Sequence, residues 1–305
     1  MSVMRPSLLA LPLLAVFAGC GNDAQKPKPG GVATATASAT ASGAPTAPLP
    51  KKPQPKAYVG PTGTVVGRVT ITGDPPPKTS FKYEKGCEGA IATYGKLFRT
   101  GPDGGLADAV VAVTKYGDNF IPPKQDAVPV TITNCAFSQR TIVMTDGQHL
   151  TVQNLMNAKQ FLPHLDGARQ PATVVAVPGG EPIKVFSRGV SRYWLRDQMG
   201  RQQMVAHVFH LPYSTATVTS LDGKFRIEGI PAGGTVEVSA MLPQLKNMNA
   251  VTKELKVEAD KDNEIELELN FDAAKDTPAD GHGGTKPKGM TPAPPAGAPS
   301  ASAKP

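Results

Sequence analysis

The chain has 305 residues, of which 31 are Gly and 31 are Pro, so about one residue in five interrupts regular structure against roughly 12% in ordinary chains, and the fold must be rich in loops or strands. The formal net charge of +7 sits in the ends: Arg5 contributes +1, residues 21–60 contribute +4 and residues 273–305 contribute +2, which leaves residues 61–272 with 22 basic and 22 acidic side chains. A neutral middle excludes a basic nucleic-acid-binding module, and no nucleic-acid partner is expected.

Arg5 precedes an apolar run from Leu8 to Gly19. That run is too short to cross roughly 30 Å of hydrocarbon at about 1.5 Å per residue, so residues 1–19 read as an export signal. It closes on Phe17-Ala18-Gly19-Cys20, which resembles a bacterial lipobox. The resemblance implies that the Cys20 thiol carries the lipid that anchors the mature chain to a membrane; the alternative is an ordinary secretory signal with an incidental cysteine. Several acyl chains at about 0.8 kcal/mol per buried methylene would make such an anchor permanent. Gly21 after the cysteine, rather than Asp, favours the outer membrane of a diderm bacterium, facing the periplasm or the cell surface. Residues 20–60 then comprise the lipidated cysteine and a tether of Ala, Thr, Ser, Pro, Gly and Lys. Such a composition buries too little to offset the entropy of ordering. As a disordered coil it would span about 35 Å. Residues 273–305 are similar material, in which His282 reads as a loop residue and not a metal ligand.

Between the tails, apolar residues recur with period two. Ile265, Leu267, Leu269 and Phe271 alternate with Glu264, Glu266 and Glu268, the pattern of a half-buried strand. The same alternation predicts strands around Val65–Ile71, Phe225–Ile227 and Val236–Ala240, with further strands at 128–133, 141–145, 149–153, 173–177, 183–186 and 204–210. Asp146-Gly147 and Asp222-Gly223 read as hairpin turns. Outside the signal no stretch keeps a 3.6-residue period for three turns, so the expected fold is all-β, built of β-sandwiches.

In chain order, Gly63-Thr-Val-Val-Gly67-Arg-Val69, Ala107-Asp-Ala-Val-Val-Ala-Val113 and Ala216-Thr-Val-Thr-Ser-Leu-Asp222-Gly223-Lys-Phe225-Arg-Ile227-Glu-Gly-Ile230-Pro231-Ala232-Gly233 resemble the carboxypeptidase regulatory-like domain, a small transthyretin-like sandwich. About a hundred residues separate the second and third motifs. Cys135-Ala-Phe137, Gln148-His-Leu-Thr-Val-Gln-Asn154 and Met204-Val-Ala-His-Val-Phe209 in that gap resemble landmarks of cupredoxin-like, plastocyanin-type modules. The resemblances imply two sandwiches, one nested in the other: residues 61–126 and 213–272 as the outer domain, residues 127–212 as the insert.

A blue-copper site takes two imidazoles, a thiolate and usually a thioether. By spacing, Gln160, Gln198 and Arg201 stand at the first three positions, and only Met204 keeps its type. A permanent cation at a ligand position opposes metal binding. His207 and His210, three apart on a predicted strand, face opposite sides, and Met199, Met204, His149 and His164 could converge only through tertiary structure. No metal or other cofactor is therefore expected. With Cys20 assigned to lipid, Cys87 and Cys135 remain, and in an exported chain they are expected to pair as a disulfide; two buried free thiols are the alternative.

No Gly-x-Ser-x-Gly, His-Glu-x-x-His or phosphate-binding loop occurs, so no catalytic residue is expected. The leading reading is a lipid-anchored cell-envelope protein with a non-catalytic ligand-binding, partner-binding or structural role. Copper electron transfer or storage, and an enzyme whose site only the fold assembles, stand as alternatives. Residues 127–212 carry eight Arg or Lys against four acids. Arg188, Arg192, Arg196 and Arg201, beside Tyr193 and Trp194, could form an anion- or partner-binding face at the former metal end; the alternative is that they are solvated or pair with acids.

Overall fold

The computed structural model describes residues 55–168, 174–246, 250–276 and 278. Cys20, the export signal, His282 and most of both expected tails lie outside the described residues. Among those described, the chain forms β1 (Thr62–Gly73), the single-turn helix α1 (Ile91–Tyr94), β2 (Val110–Thr114), β3 (Val128–Thr133), β4 (Ala136–Phe137), β5 (Thr141–Thr145), β6 (Leu150–Asn154), β7 (Pro163–Asp166) and β8 (Ile183–Val185). It continues as β9 (Ser191–Asp197), β10 (Val205–Leu211), β11 (Ala216–Val218), β12 (Lys224–Pro231), β13 (Thr235–Met241), β14 (Val251–Lys256) and β15 (Asp262–Phe271). The fold is all-β.

Four sheets enclose two hydrophobic cores. Sheets β12-β1-β15 and β11-β2-β13-β14 supply the first, with Val65, Val69, Val111, Val113, Ile227, Val238, Leu267 and Leu269 among its buried members. Sheets β4-β3-β6-β8 and β5-β10-β9-β7 supply the second, around Val130, Ile132, Phe137, Ile142, Val152, Leu195, Ala206 and Val208. Each aliphatic side chain so buried contributes about 1.5–3 kcal/mol. In β15 the alternation is complete, with Ile265, Leu267, Leu269 and Phe271 turned inward and the glutamates outward. β15 lies parallel to β1 from Thr64↔Asp262 to Gly73↔Phe271, so the first and last strands of the described chain zip together and close the first module around the insertion.

Three expectations change. Neither Asp-Gly turn makes a hairpin: Asp146-Gly147 carries the chain from β5 to β6 and Asp222-Gly223 carries it from β11 to β12, each time into the facing sheet. Glycine is required at 223 for two reasons, a φ of +81° and a Cβ position only 2.3 Å from the Val69 carbonyl oxygen. Residues 174–177 form no strand. Val174, Val175 and Val177 are largely exposed, and the segment is held by an isolated bridge between Ala176 and Phe161 and by Asn154 Nδ2 of β6, which donates to the Ala176 carbonyl at 2.8 Å. The stretch 81–94, expected with the first module, gives Cys87, Ala90 and Tyr94 to the second core, because the Tyr94 hydroxyl accepts the buried N–H of Phe137 at 3.1 Å.

Candidate functional site: a groove between the cores and the two ends of strand β9

The two cores are joined by polar clamps. Arg140, almost wholly buried, donates to the carbonyls of Lys96 at 3.1 Å and Leu97 at 2.8 Å, and burial pulls its guanidinium below the usual arginine range. Gln244 Nε2 donates to Thr141 Oγ1 at 3.2 Å. Arg192 Nη2 meets the Pro243 carbonyl at 3.0 Å and His207 Nδ1 at 2.7 Å, while its guanidinium lies 5.2 Å from the Trp194 ring centre and 5.5 Å from that of Phe209. Buried polar groups need such partners, and at Gln244 the side-chain oxygen is buried without one.

Beside the clamps runs an open groove of about 1160 Å³, lined from the first module by residues such as Arg68, Thr217 and Glu264 and from the second by Ser138, Gln139 and Gln148. Hydroxyls and amides such as Ser138, Gln148, Ser214 and Thr217 line it beside charged side chains of both signs and apolar ones such as Val143, Val218 and Phe225. Several of its cations are already engaged: Arg99 forks onto Asp108 with two contacts of 2.8 Å, Arg68 Nε donates to the Asp222 carbonyl at 2.9 Å, and Arg226 pairs with Glu228 and Asp262. No His or Cys lines it among the described residues.

The four arginines of the expected anionic face do not gather at one end. They follow β9 for its length, about 20 Å at 3.3 Å per residue, and three have internal partners. Arg192 is the clamp just described. Arg196 Nε pairs with Asp166 at 2.6 Å. Arg201 meets the carboxylates of Glu84 and Asp197, donates to the Gln160 carbonyl at 3.0 Å and lies 4.4 Å from the Phe161 ring centre. Arg188 is exposed; its backbone N–H donates to the Tyr193 hydroxyl at 3.2 Å.

Of the positions compared with a copper site, Gln160 meets the Arg201 guanidinium, through its carbonyl. Met204 N donates to the Arg201 carbonyl at 2.9 Å, Met204 is fully buried and Gln198 is exposed. Asp197 has no exposed side-chain surface and also accepts the Leu162 N–H at 2.7 Å. The Arg201 bond, followed by that of Lys159, lowers the pKa of Glu84 below the glutamate range. Burial opposes the Arg201 charge, but the bonds from Asp197 and Glu84 outweigh it and raise its pKa. Next to this cluster, Cys87 and Cys135 form the expected disulfide, with Cα atoms 5.2 Å apart, and Cys87 Sγ lies 3.2 Å from Glu84 Oε1.

His207 and His210 take opposite sides of β10. His207 faces Arg192 and Trp194. His210 lies at the other end of the strand, between Ser187 and Asp146. Neither Ser187 nor Asp146 stands in a catalytic motif, and they lie 23 and 64 residues from His210, so spacing along the chain does not connect them. His149 stacks on Phe186 with ring centres 5.1 Å apart, and His164 stands 3.8 Å from Asp166. Met199 is largely exposed.

No family model matches the chain, and no curated protein matches it. Among solved structures it is similar to Cu-containing nitrite reductase (NirK) from Thermus scotoductus SA-01, at 12% identity and a TM-score of 0.25, over 33% of this chain and 25% of that one. The match spans a quarter of the reductase's length.

Proposed function

We propose that the chain is a lipid-tethered protein of a bacterial envelope, anchored through Cys20 in the outer membrane, whose inter-module groove binds a neutral, polar and extended ligand or partner segment. The groove is the observation that carries this reading. Its volume of about 1160 Å³ exceeds the roughly 300–1000 Å³ of ordinary small-molecule sites, and its open shape suits a chain-like occupant. Hydroxyls and amides both donate and accept, so they match a polar chain without selecting charge, and the pairing of Arg99 and Arg226 with acids leaves little net field.

On the motifs quoted above, we assign the first module to the carboxypeptidase regulatory-like family and the second to a cupredoxin-like scaffold. Arg201, held by Glu84 and Asp197, stands at the position of its second imidazole.

Two measurements test the proposal. Metabolic labelling with a fatty acid should mark the wild-type chain and not Cys20→Ser. A photoreactive residue replacing Thr217 in the groove should cross-link an envelope component in cells, whereas one replacing exposed Lys256 on β14 should not; equal labelling from both sites would remove the groove from consideration.

A further inference from the structure

We propose that Ser187, His210 and Asp146 form an acyl-transfer site, with Ser187 as nucleophile toward esters of small acyl groups. The three residues come from neighbouring elements at one end of the second module. His210 is the last residue but one of β10, Asp146 follows the paired strand β5, in which Thr145 lies opposite Leu211, and Ser187 lies in the segment before β9, whose Ser191 lies opposite His210. Ser187 Oγ is 2.6 Å from His210 Nδ1, and His210 Nε2 is 2.7 Å from Asp146 Oδ1. The imidazole is 5% exposed, so its two bonds fix its plane.

The chemistry follows from those contacts. A carboxylate can only accept, so His210 Nε2 carries the hydrogen and Nδ1 is left as the acceptor for the Ser187 hydroxyl proton. Serine hydrolases usually place the serine on Nε2; exchanging the ring nitrogens leaves the relay intact, because either can be the base. On attack, the Ser187 Oγ–carbon bond forms as the hydroxyl proton passes to Nδ1. When the ester C–O bond breaks, Nδ1 returns that proton to the leaving alcohol. Water then repeats the sequence on the acyl-serine and releases the carboxylic acid. Net, an ester and water give an acid and an alcohol.

Access is also present. Phe186 and Val190, on either side of Ser187 in sequence, are 49% and 53% exposed and offer apolar surface to an acyl chain, and nothing lies within 4 Å of where a Cβ on Gly189 would stand. The N–H groups of Ser187 and Gly189 have no acceptor among the described residues. Donors for an oxyanion therefore exist within two residues of the nucleophile.

The test uses the full chain in detergent, with a fluorophosphonate and with p-nitrophenyl acetate. The fluorophosphonate should modify Ser187 in the native chain and not in the heat-unfolded chain, and Ser187→Ala should lose both the label and ester hydrolysis. His210→Gln should lower kcat/KM by about 100-fold, the scale of general-base catalysis. Asp146 acts through His210 as a positioning residue, and its carboxylate is 66% exposed, so Asp146→Asn should lower the rate by about tenfold, less than a buried positioning carboxylate would. Asp146→Glu should restore it, which a purely structural role would not require. A native chain unlabelled at Ser187, or Ser187→Ala hydrolysing at the wild-type rate, would overturn the proposal.

Discussion

The two ends of β9 and β10 share one scaffold and treat polar side chains in opposite ways. At one end Arg201 is enclosed by Asp197, Glu84, the Gln160 carbonyl and the Phe161 ring, with the Cys87–Cys135 bridge alongside. At the other, Ser187 and His210 are joined to a carboxylate that is mostly in water and flanked by exposed Phe186 and Val190. Charges answered from every side become part of the structure. A hydrogen-bonded chain that opens to solvent is placed for chemistry.

The comparison can be strained first at the closed end. Replacing both Cys87 and Cys135 by Ala frees the loop between them in the unfolded chain and should cost about 4 kcal/mol in the chain-entropy model, read as a fall in the urea midpoint, while ester hydrolysis at the far end persists below the transition. Asp197→Ala comes next. It removes a carboxylate with no exposed surface and leaves Arg201 partly unpaired, for a loss of about 3 kcal/mol.

The smallest effect is in acid. Because the Arg201 bond, then Lys159, lowers the folded pKa of Glu84, this group contributes stability that is present above the unfolded glutamate value of about 4.3 and is lost as pH falls from there through the folded value. Glu84 is 45% exposed, so solvent screens much of the interaction. Glu84→Gln should flatten the pH dependence of the melting temperature below that pH and lower the melting temperature slightly near neutrality, where the charged carboxylate contributes.

How much was legible follows the same division. β15 was readable because one face is buried and the other wet, so its alternation is written in Ile, Leu and Glu. β9 was not, since Arg192, Trp194 and Arg196 share the face opposite Tyr193 and Leu195, and that face is covered by partners the sequence does not place nearby. β14 escaped for the opposite reason: it is an edge strand, mostly exposed, with no face whose burial would leave a pattern. The disulfide followed from counting cysteines in a chain whose first residues read as an export signal. The pairing of Arg201 with Asp197 spans four residues, yet its meaning depends on Glu84, far upstream. The grouping of Ser187, His210 and Asp146 depends on strand order, as β5 and β9 flank β10 while lying far apart in sequence. Spacing rules that find local motifs cannot reach it.

The claim that one end is structural and the other free for chemistry is tested most directly by urea unfolding of Arg201→Ala and Ser187→Ala in the same full-length chain. Removing the guanidinium strands buried Asp197 and should cost about 3 kcal/mol, whereas removing the half-buried hydroxyl should cost no more than about 1 kcal/mol, the scale of a single hydrogen bond. Equal losses, or a larger loss for Ser187→Ala, would contradict the account.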